Sequence, residues 1–199
     1  KIKEIFQDVE VQKMISQGGR LDFGMDLIPY LVNSGRHVVG YVMEGRWFDL
    51  GTPEGYLDSA VELLRTGANG MDLRGRVSTN RNIWINGYSP ESLLRRRRIL
   101  KMVSCGDINL NGGVLIGRHC SIGSQANISD SSIDNFSIIE ENTVLTRSAI
   151  MDRVIVQKCA EISGSIIGRH VLVESSSMNP TRISDLSVIG DNVTIGKGC

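Results

Sequence analysis

Few residues in this chain combine a reactive type with a telling spacing. His119 and His170 recur in the same tetrapeptide, Ile-Gly-Arg-His, and a histidine held at a fixed corner can serve as a base. Asp49 sits in the run Trp47-Phe48-Asp49-Leu50-Gly51-Thr52-Pro53-Glu54. By residue type alone, its carboxylate caps the loop ahead of a helix and Gly51 makes a tight turn. Arg95 to Arg98 is the one conspicuous charge run. Consecutive arginines on a helix point in all directions, so the run reads as solvated charge or as pairs with nearby carboxylates. A phosphate effector held between domains is its second reading. Nucleic acid is excluded, because no aromatic residues interleave the run. Cys105, Cys120, Cys159 and Cys199 form no Cys-x-x-Cys pair and have no His at metal-ligand spacing. They read as fillers of small buried or edge positions in a reduced, cytoplasmic protein.

The elements that must position these residues are of two kinds. The second half of the chain is periodic. Windows of nine residues from Val114, Ser131, Ser148, Ser165 and Ser187 all carry an aliphatic residue at the third and ninth places, with steps of 17, 17, 17 and 22 residues. The third-place ladder is Ile116, Ile133, Ile150, Ile167 and Ile189, and the ninth-place ladder is Ile122, Ile139, Val156, Val173 and Ile195. A further ladder, Ile128, Leu145 and Ile162, lies six residues on. Inward aliphatics spaced 6, 6 and 5 describe a three-sided coil with one short strand per side. Such coils stack about 4.8 Å apart into a solenoid rather than a globule with one central core. Gly117, Gly123, Gly168, Gly190 and Gly196 each follow an inward aliphatic and are expected at corners with positive φ. The last ladder is due next at Asn179 and fails there. The extra residues in 174–186 predict an excursion near Ser175–Arg182, with coils restored by Ser187. It reads as a surface loop, or more sharply as a partner contact.

The first half reads as helices around a short strand. Residues 1–15 predict a helix or helix pair, broken at Gly18 and Gly19. Residues 25–35 predict a short helix containing Pro29. Residues 37–44 alternate like a strand, and 46–51 continue it into a loop. Thr52 as N-cap and Pro53 as first helical residue open an amphipathic helix. Residues 83–87 predict a strand sealing the solenoid end, and Ser89-Pro90-Glu91 starts a helix packed across the first coils. Domains are expected at 1–70, 71–107 and 108–199, the middle one a connector. Lys and Arg total 22 against 22 Asp and Glu, so no global charge draws the chain to nucleic acid or anionic membrane. No run suits a membrane span, and the N-terminus lacks a signal peptide's apolar core. The chain opens without Met, which is compatible with a fragment.

The segments Leu21–Leu31, Gly40–Gly45 and Arg46–Ala60, followed by hexapeptide coils, resemble a known family. They look like the C-terminal part of sugar-1-phosphate nucleotidyltransferases, the NDP-sugar pyrophosphorylases, of the mannose-1-phosphate guanylyltransferase kind. The resemblance implies a mainly β fold, a left-handed parallel β-helix preceded by a partial α/β segment of the catalytic domain. It also implies Mg²⁺-dependent attack of a sugar-1-phosphate on the α-phosphate of a nucleoside triphosphate. Asp49 matches the family's Mg²⁺-binding aspartate, and Gly51 and Thr52 fall where substrate approaches. Trp47 and Phe48 read as packing residues. The family's glycine-rich nucleotide loop and its other metal aspartate have no counterpart here, and Met25 replaces a lysine common in relatives. The chain alone is therefore expected to be inactive, and the intact protein a homo-oligomer whose β-helix serves assembly or regulation. The look of residues 47–57 and of the coils leans toward mannose-1-phosphate and GTP. Two other readings stand beside this one. The solenoid also resembles hexapeptide acyltransferases, for which His119 and His170 are the candidate bases, although repetition explains both. A non-enzymatic assembly module is the other.

Overall fold

Aliphatic residues at a fixed period bury one another only if each turn of chain lies on the last, and the computed structural model shows this stack. It describes residues 2–18, 20–45, 47–66, 76–78 and 81–199. The strands, in chain order, are β1 (Arg76–Ser78), β2 (Arg81–Ile85), β3 (Asn109–Ile116), β4 (Ser121–Ile122), β5 (Asn127–Ile133), β6 (Ile138–Ile139), β7 (Val144–Thr146), β8 (Ala149–Ile150), β9 (Ile155–Val156), β10 (Glu161–Ser163), β11 (Ile166–Ile167), β12 (Leu172–Val173), β13 (Arg182–Ile183), β14 (Val188–Ile189) and β15 (Thr194–Ile195). Strands β2 to β15 form a parallel β-solenoid with three faces, and β1 pairs antiparallel with β2. One face is β4-β6-β9-β12-β15. On the second, Leu110, Ile128, Leu145, Ile162 and Ile183 stand in register. On the third, Ile85, Ile116, Ile133, Ile150, Ile167 and Ile189 do.

All three ladders point inward and are almost entirely buried until the last coil, where Ile189 and Ile195 are partly exposed. Each buried aliphatic side chain contributes about 1.5–3 kcal/mol. Polar columns run beside the apolar ones. Ser131, Ser148 and Ser165, the first residues of their windows, are buried, and each hydroxyl satisfies backbone that the corner leaves unpaired. The Ser148 N–H donates to Ser131 Oγ at 3.0 Å and the Ser165 N–H to Ser148 Oγ at 3.3 Å. A second column uses side-chain oxygens of the next coil. The Arg118 N–H donates to Asn135 Oδ1 at 2.8 Å, Asn135 N–H to Asp152 Oδ1 at 2.9 Å, and Arg169 N–H to Asp191 Oδ1 at 2.6 Å.

Two expectations about the coils are corrected. The ladder through Ile162 does not end at Asn179; Ile183, 8% exposed, pairs with Ile162 and continues it. The inserted residues are divided. Ten positions separate Val173 from Ile183 where six are usual, and six separate Ile183 from Ile189 where five are usual. The excursion itself is present, and coils resume at Arg182, ahead of Ser187, as expected. Thr181 closes it: its N–H donates to Ser175 Oγ at 3.0 Å and its hydroxyl to Glu174 O at 2.7 Å, while Met178 stands 91% exposed. The second correction concerns glycine. Positive φ falls on His119, Phe136, Arg153, His170 and Asn192, and on other non-glycine corner residues, not on Gly117, Gly123 or Gly168. Those glycines face the next coil: a Cβ on Gly117 would lie 2.7 Å from Asn135 N, and one on Gly123 2.5 Å from Glu141 N.

Helices complete the fold: α1 (Ile2–Ile5), α2 (Val9–Gly18), α3 (Ile28–Asn33), α4 (Pro53–Thr66) and α5 (Pro90–Ser104), with a π-helical turn at Phe23–Leu27 ahead of α3. The chain divides into two compact units, Lys1–Arg46 and Trp47–Cys199. In the first, the expected helix pair is α1 and α2. Asp22 caps the π-turn, accepting the Gly24 and Met25 N–H groups at 2.8 Å each, and Asp8 accepts the Tyr30 hydroxyl at 3.0 Å. The strand expected at 37–44 does not form, and Tyr41 and Val42 are about 90% exposed. Alternation alone does not make a strand; a neighbour must take its N–H and C=O groups, and none does so among the described residues. In the second unit, β2 lies parallel to β3 and seals the solenoid, as expected. Helix α5 starts at its Ser89 cap, whose Oγ accepts the Ser92 N–H at 3.2 Å, and adds Ile99 to the core. The sequence boundary at residue 70 lies outside the described residues.

Candidate functional site

The loop before α4 folds around its own polar groups. Thr52 Oγ1 accepts the Gly55 N–H at 3.0 Å, the N-cap bond expected of a Thr-Pro helix start. Asp49 Oδ1 accepts the Gly51 N–H at 3.0 Å, which makes the carboxylate a loop cap. The Asp49 carbonyl lies so close to Gly55 that a Cβ there would stand 2.5 Å from it. Asp49, Gly51 and Thr52 are thus gathered within one turn at the start of α4, all exposed. Trp47, expected to pack, is 75% exposed.

Helix α4 is held on the solenoid. Leu57 and Leu64 are buried, and Gly113 gives the helix room: a Cβ on it would lie 2.5 Å from Leu64 Cβ. Arg65 binds Asp130 through both faces of its fork, Nε to Oδ1 at 2.7 Å and Nη2 to Oδ2 at 2.6 Å. Arg147 donates to Asp58 Oδ1 from Nη2 at 2.7 Å and from Nε at 3.2 Å. Arg65 and the Gly113 N–H, which donates to Asp130 Oδ1 at 3.0 Å, hold the Asp130 carboxyl below its ordinary value against the effect of burial. Tyr56, in the first turn of α4, is half-buried. Burial pushes its phenol upward, and the Asp134 charge adds to that. Asp134 is itself raised, first by burial and then by the Asp152 carboxylate, with Arg169 opposing. Sequence reasoning missed this contact set. Its signal was a pair of opposite charges seven residues apart on α4, Asp58 and Arg65, facing another pair 17 apart in the coils, Asp130 and Arg147.

The remaining candidates are scattered. His119 and His170 occupy equivalent corners, with φ of 58° and 56°. His119 stacks on Phe136 at 4.9 Å between centroids and 13° between planes, and the Arg153 guanidinium lies 5.2 Å from the same ring. They form one column of a repeated corner and do not converge. Arg95 is half-buried; its Nη2 donates to the Asn86 carbonyl at 2.5 Å, while Nε and Nη1 are buried without partners. Burial lowers its pKa, with Cys120 opposing. The expectation of carboxylate pairing therefore fails at Arg95. Cys120 is buried, its thiol pushed up to about 11 by burial, and is inert. Among the described residues, no three His, Cys, Asp or Glu side chains could together hold a metal ion. Asp49 supplies one carboxylate, a donor suited to Mg²⁺, which commonly completes its shell with waters and substrate phosphates. Clefts of about 630 and 470 Å³ open beside α5, and neither is lined by the Asp49 loop. No helix among the described residues is long and apolar enough to cross a membrane.

Comparison with known proteins bears on both the solenoid and the loop. The profile of the family described as GMPPB C-terminal domain matches residues 110–199. A glucose-1-phosphate adenylyltransferase of Desulfitobacterium hafniense (strain DSM 10664 / DCB-2) is 27% identical over 184 residues, covering 89% of this chain and 42% of that protein. Enzymes of the same name from Bacillus cereus (strain Q1) and Bacillus mycoides (strain KBAB4) are 25% and 24% identical over 160 residues, 79% of this chain and 38% of theirs. The chain thus spans less than half the length of these relatives. The matches to these relatives run across the loop, α4 and the coils together, and the chain is similar to the C-terminal, β-helix-bearing part of sugar-1-phosphate nucleotidyltransferases.

Proposed function

We propose that this chain serves the transfer of a nucleotidyl group to a sugar-1-phosphate. In that reaction a phosphate oxygen of the sugar-1-phosphate attacks the α-phosphate of a nucleoside triphosphate. The α–β bridge breaks, pyrophosphate leaves and an NDP-sugar forms. The observation that carries the reading is the Trp-Phe-Asp-Leu-Gly-Thr-Pro-Glu loop at the head of a helix bonded to the solenoid. Asp49 would be the chain's ligand to Mg²⁺, which would offset charge gathering on the phosphates. Gly51, lacking a side chain, lets substrate approach the backbone, and Thr52 keeps the helix start rigid beside it. The nucleotide-binding loop and a second metal carboxylate have no counterpart in this sequence, so the 199-residue chain alone is inactive in this reading. The working protein is a cytoplasmic homo-oligomer whose solenoid serves assembly or regulation.

Pyrophosphate release tests the reading. The 199-residue chain should release none from any nucleoside triphosphate and sugar-1-phosphate with Mg²⁺. The same chain carried on the reading frame upstream of Lys1 should release it, and Asp49→Asn should reduce that rate by at least about 100-fold. Release by the short chain, or an unaffected Asp49→Asn, would overturn the proposal. Light scattering at high concentration should show an assembly larger than a monomer.

A further inference from the structure

We propose that Asp130 and Arg147, corner residues of the solenoid, are positioning residues for the Asp49 loop, so that the coils set where that loop stands. The functional side of the inference rests on the reading of Asp49 as a metal ligand; the mechanical side rests on contacts alone.

The loop is tied to α4 in two ways. Thr52 caps the helix, and the Asp49 carbonyl sits against Gly55, where no side chain could intervene. Helix α4 is in turn tied to the solenoid at two levels. Asp130 and Arg147 are equivalent corner residues of adjacent coils, 17 apart, both with positive φ, at 48° and 46°. The corner conformation turns both side chains toward α4. Asp58 and Arg65 lie seven residues apart on the helix, which is about 10 Å along its axis. Two coils are only about 4.8 Å apart, and the long arginines span the difference. The charge order is crossed: the helix offers Asp then Arg, and the coils offer Asp then Arg in the opposite direction. One placement of the helix satisfies both pairs; a slide by one turn breaks both. Gly113 fixes depth, because it receives Leu64 where any Cβ would collide. Asp130 is held in turn by the Gly113 N–H, so the same glycine sets the corner carboxylate and the helix seat.

Buried Leu57 and Leu64 supply most of the attachment, since exposed ion pairs contribute little. The pairs supply register. An anion or partner that drew Arg147 from Asp58 would leave α4 attached but free to shift, and the Asp49 loop with it.

Amide hydrogen exchange on the 199-residue chain tests this, with Mn²⁺-induced broadening of the Gly51 and Thr52 amide signals as an independent readout. Arg147→Gln, Asp58→Asn and Asp130→Asn should each speed exchange across residues 47–66 by about two- to fivefold, leaving residues 127–173 unchanged. Arg153→Gln, a corner arginine that lies over Phe136 instead, should change neither region. The reversed pair Asp58→Arg with Arg147→Asp should restore slow exchange, which a general loss of stability would not allow. Unchanged exchange in the single variants, or no rescue by the reversed pair, overturns the proposal. Broadening that is identical in wild type and Asp49→Asn would instead remove the metal reading, while exchange still decides the positioning role.

Discussion

Gly117 and Gly123 owe their lack of a side chain to the coil above them rather than to their own torsions. That distinction has a sharp consequence, because the equivalent Gly190 in the last coil meets nothing. Gly117→Ala drives a methyl group against the backbone of Asp134 and Asn135, and should cost about 1–3 kcal/mol in urea unfolding. Gly190→Ala should stay within about 0.5 kcal/mol of wild type. Strain of the other kind sits on the corner residues. Leu186 holds φ of 61° with its side chain half exposed, so little packing offsets the conformation. Leu186→Asn, a residue that visits this region readily, should raise stability by about 1 kcal/mol in the same experiment. Asp134 is a third case, a half-buried carboxylate raised by burial and by Asp152. Its folded value lies above its unfolded one, so it lowers stability as pH rises through about 4 and above. Asp134→Asn should therefore stabilise the chain at pH 7 and leave it unchanged below about pH 3.

At the scale of elements, α4 shows the opposite pH behaviour. Arg65 and Gly113 depress Asp130, so its contribution is fully present above the unfolded carboxylate value near 4 and is lost as pH falls through the folded value. Exchange at residues 53–66 should accelerate on acidification below about pH 4, and in Asp130→Asn that acceleration should be largely absent because the contact is already lost. The elements also show why parts of the architecture were readable. A ladder of one residue type at a fixed period can satisfy its burial only by stacking, so Ile116 to Ile167 announce the coils directly. Thr52 and Ser89 announce their helices because caps act within three residues. The ladder beyond Ile162 was misread because the insertion is split around Ile183, which hides the period. The strand at 37–44 was misread because alternation reports a face and not a pairing partner. The seating of α4 depends on matching a seven-residue spacing to a 17-residue one, a long-range coincidence that neither segment reveals alone. As for Asp49, its geometry is that of a loop cap, and the metal-ligand role proposed for it enters through family resemblance.

On the scale of the whole molecule, a solenoid has no single core to lose. Each coil touches only its neighbours, so its stability is approximately a sum of coil terms and interfaces between coils. The two ends of this one are unequal. At the first coil, β2 adds a paired strand and α5 lays Ile99 over the apolar column. At the last, Ile189 and Ile195 keep part of their surface in water, and Val188 is more than half exposed. The excursion at 174–181 lies between the last coil and the rest, so the links from coil to coil there are carried chiefly by β10 to β13, β11 to β14 and β12 to β15. Opening should therefore begin beyond the excursion and travel toward α5, because every step from that end exposes one coil interface while a step from α5 exposes a helix as well. Amide exchange at residues 182–199 should be the fastest of the solenoid, residues 155–173 intermediate, and residues 110–139 slowest. Ile189→Ala should speed exchange in the last coil alone, whereas Ile150→Ala, a cavity in the middle costing about 2–5 kcal/mol, should speed it in every coil from Ile150 onward. Equal acceleration of all coils by both substitutions would mean that the solenoid opens as one unit.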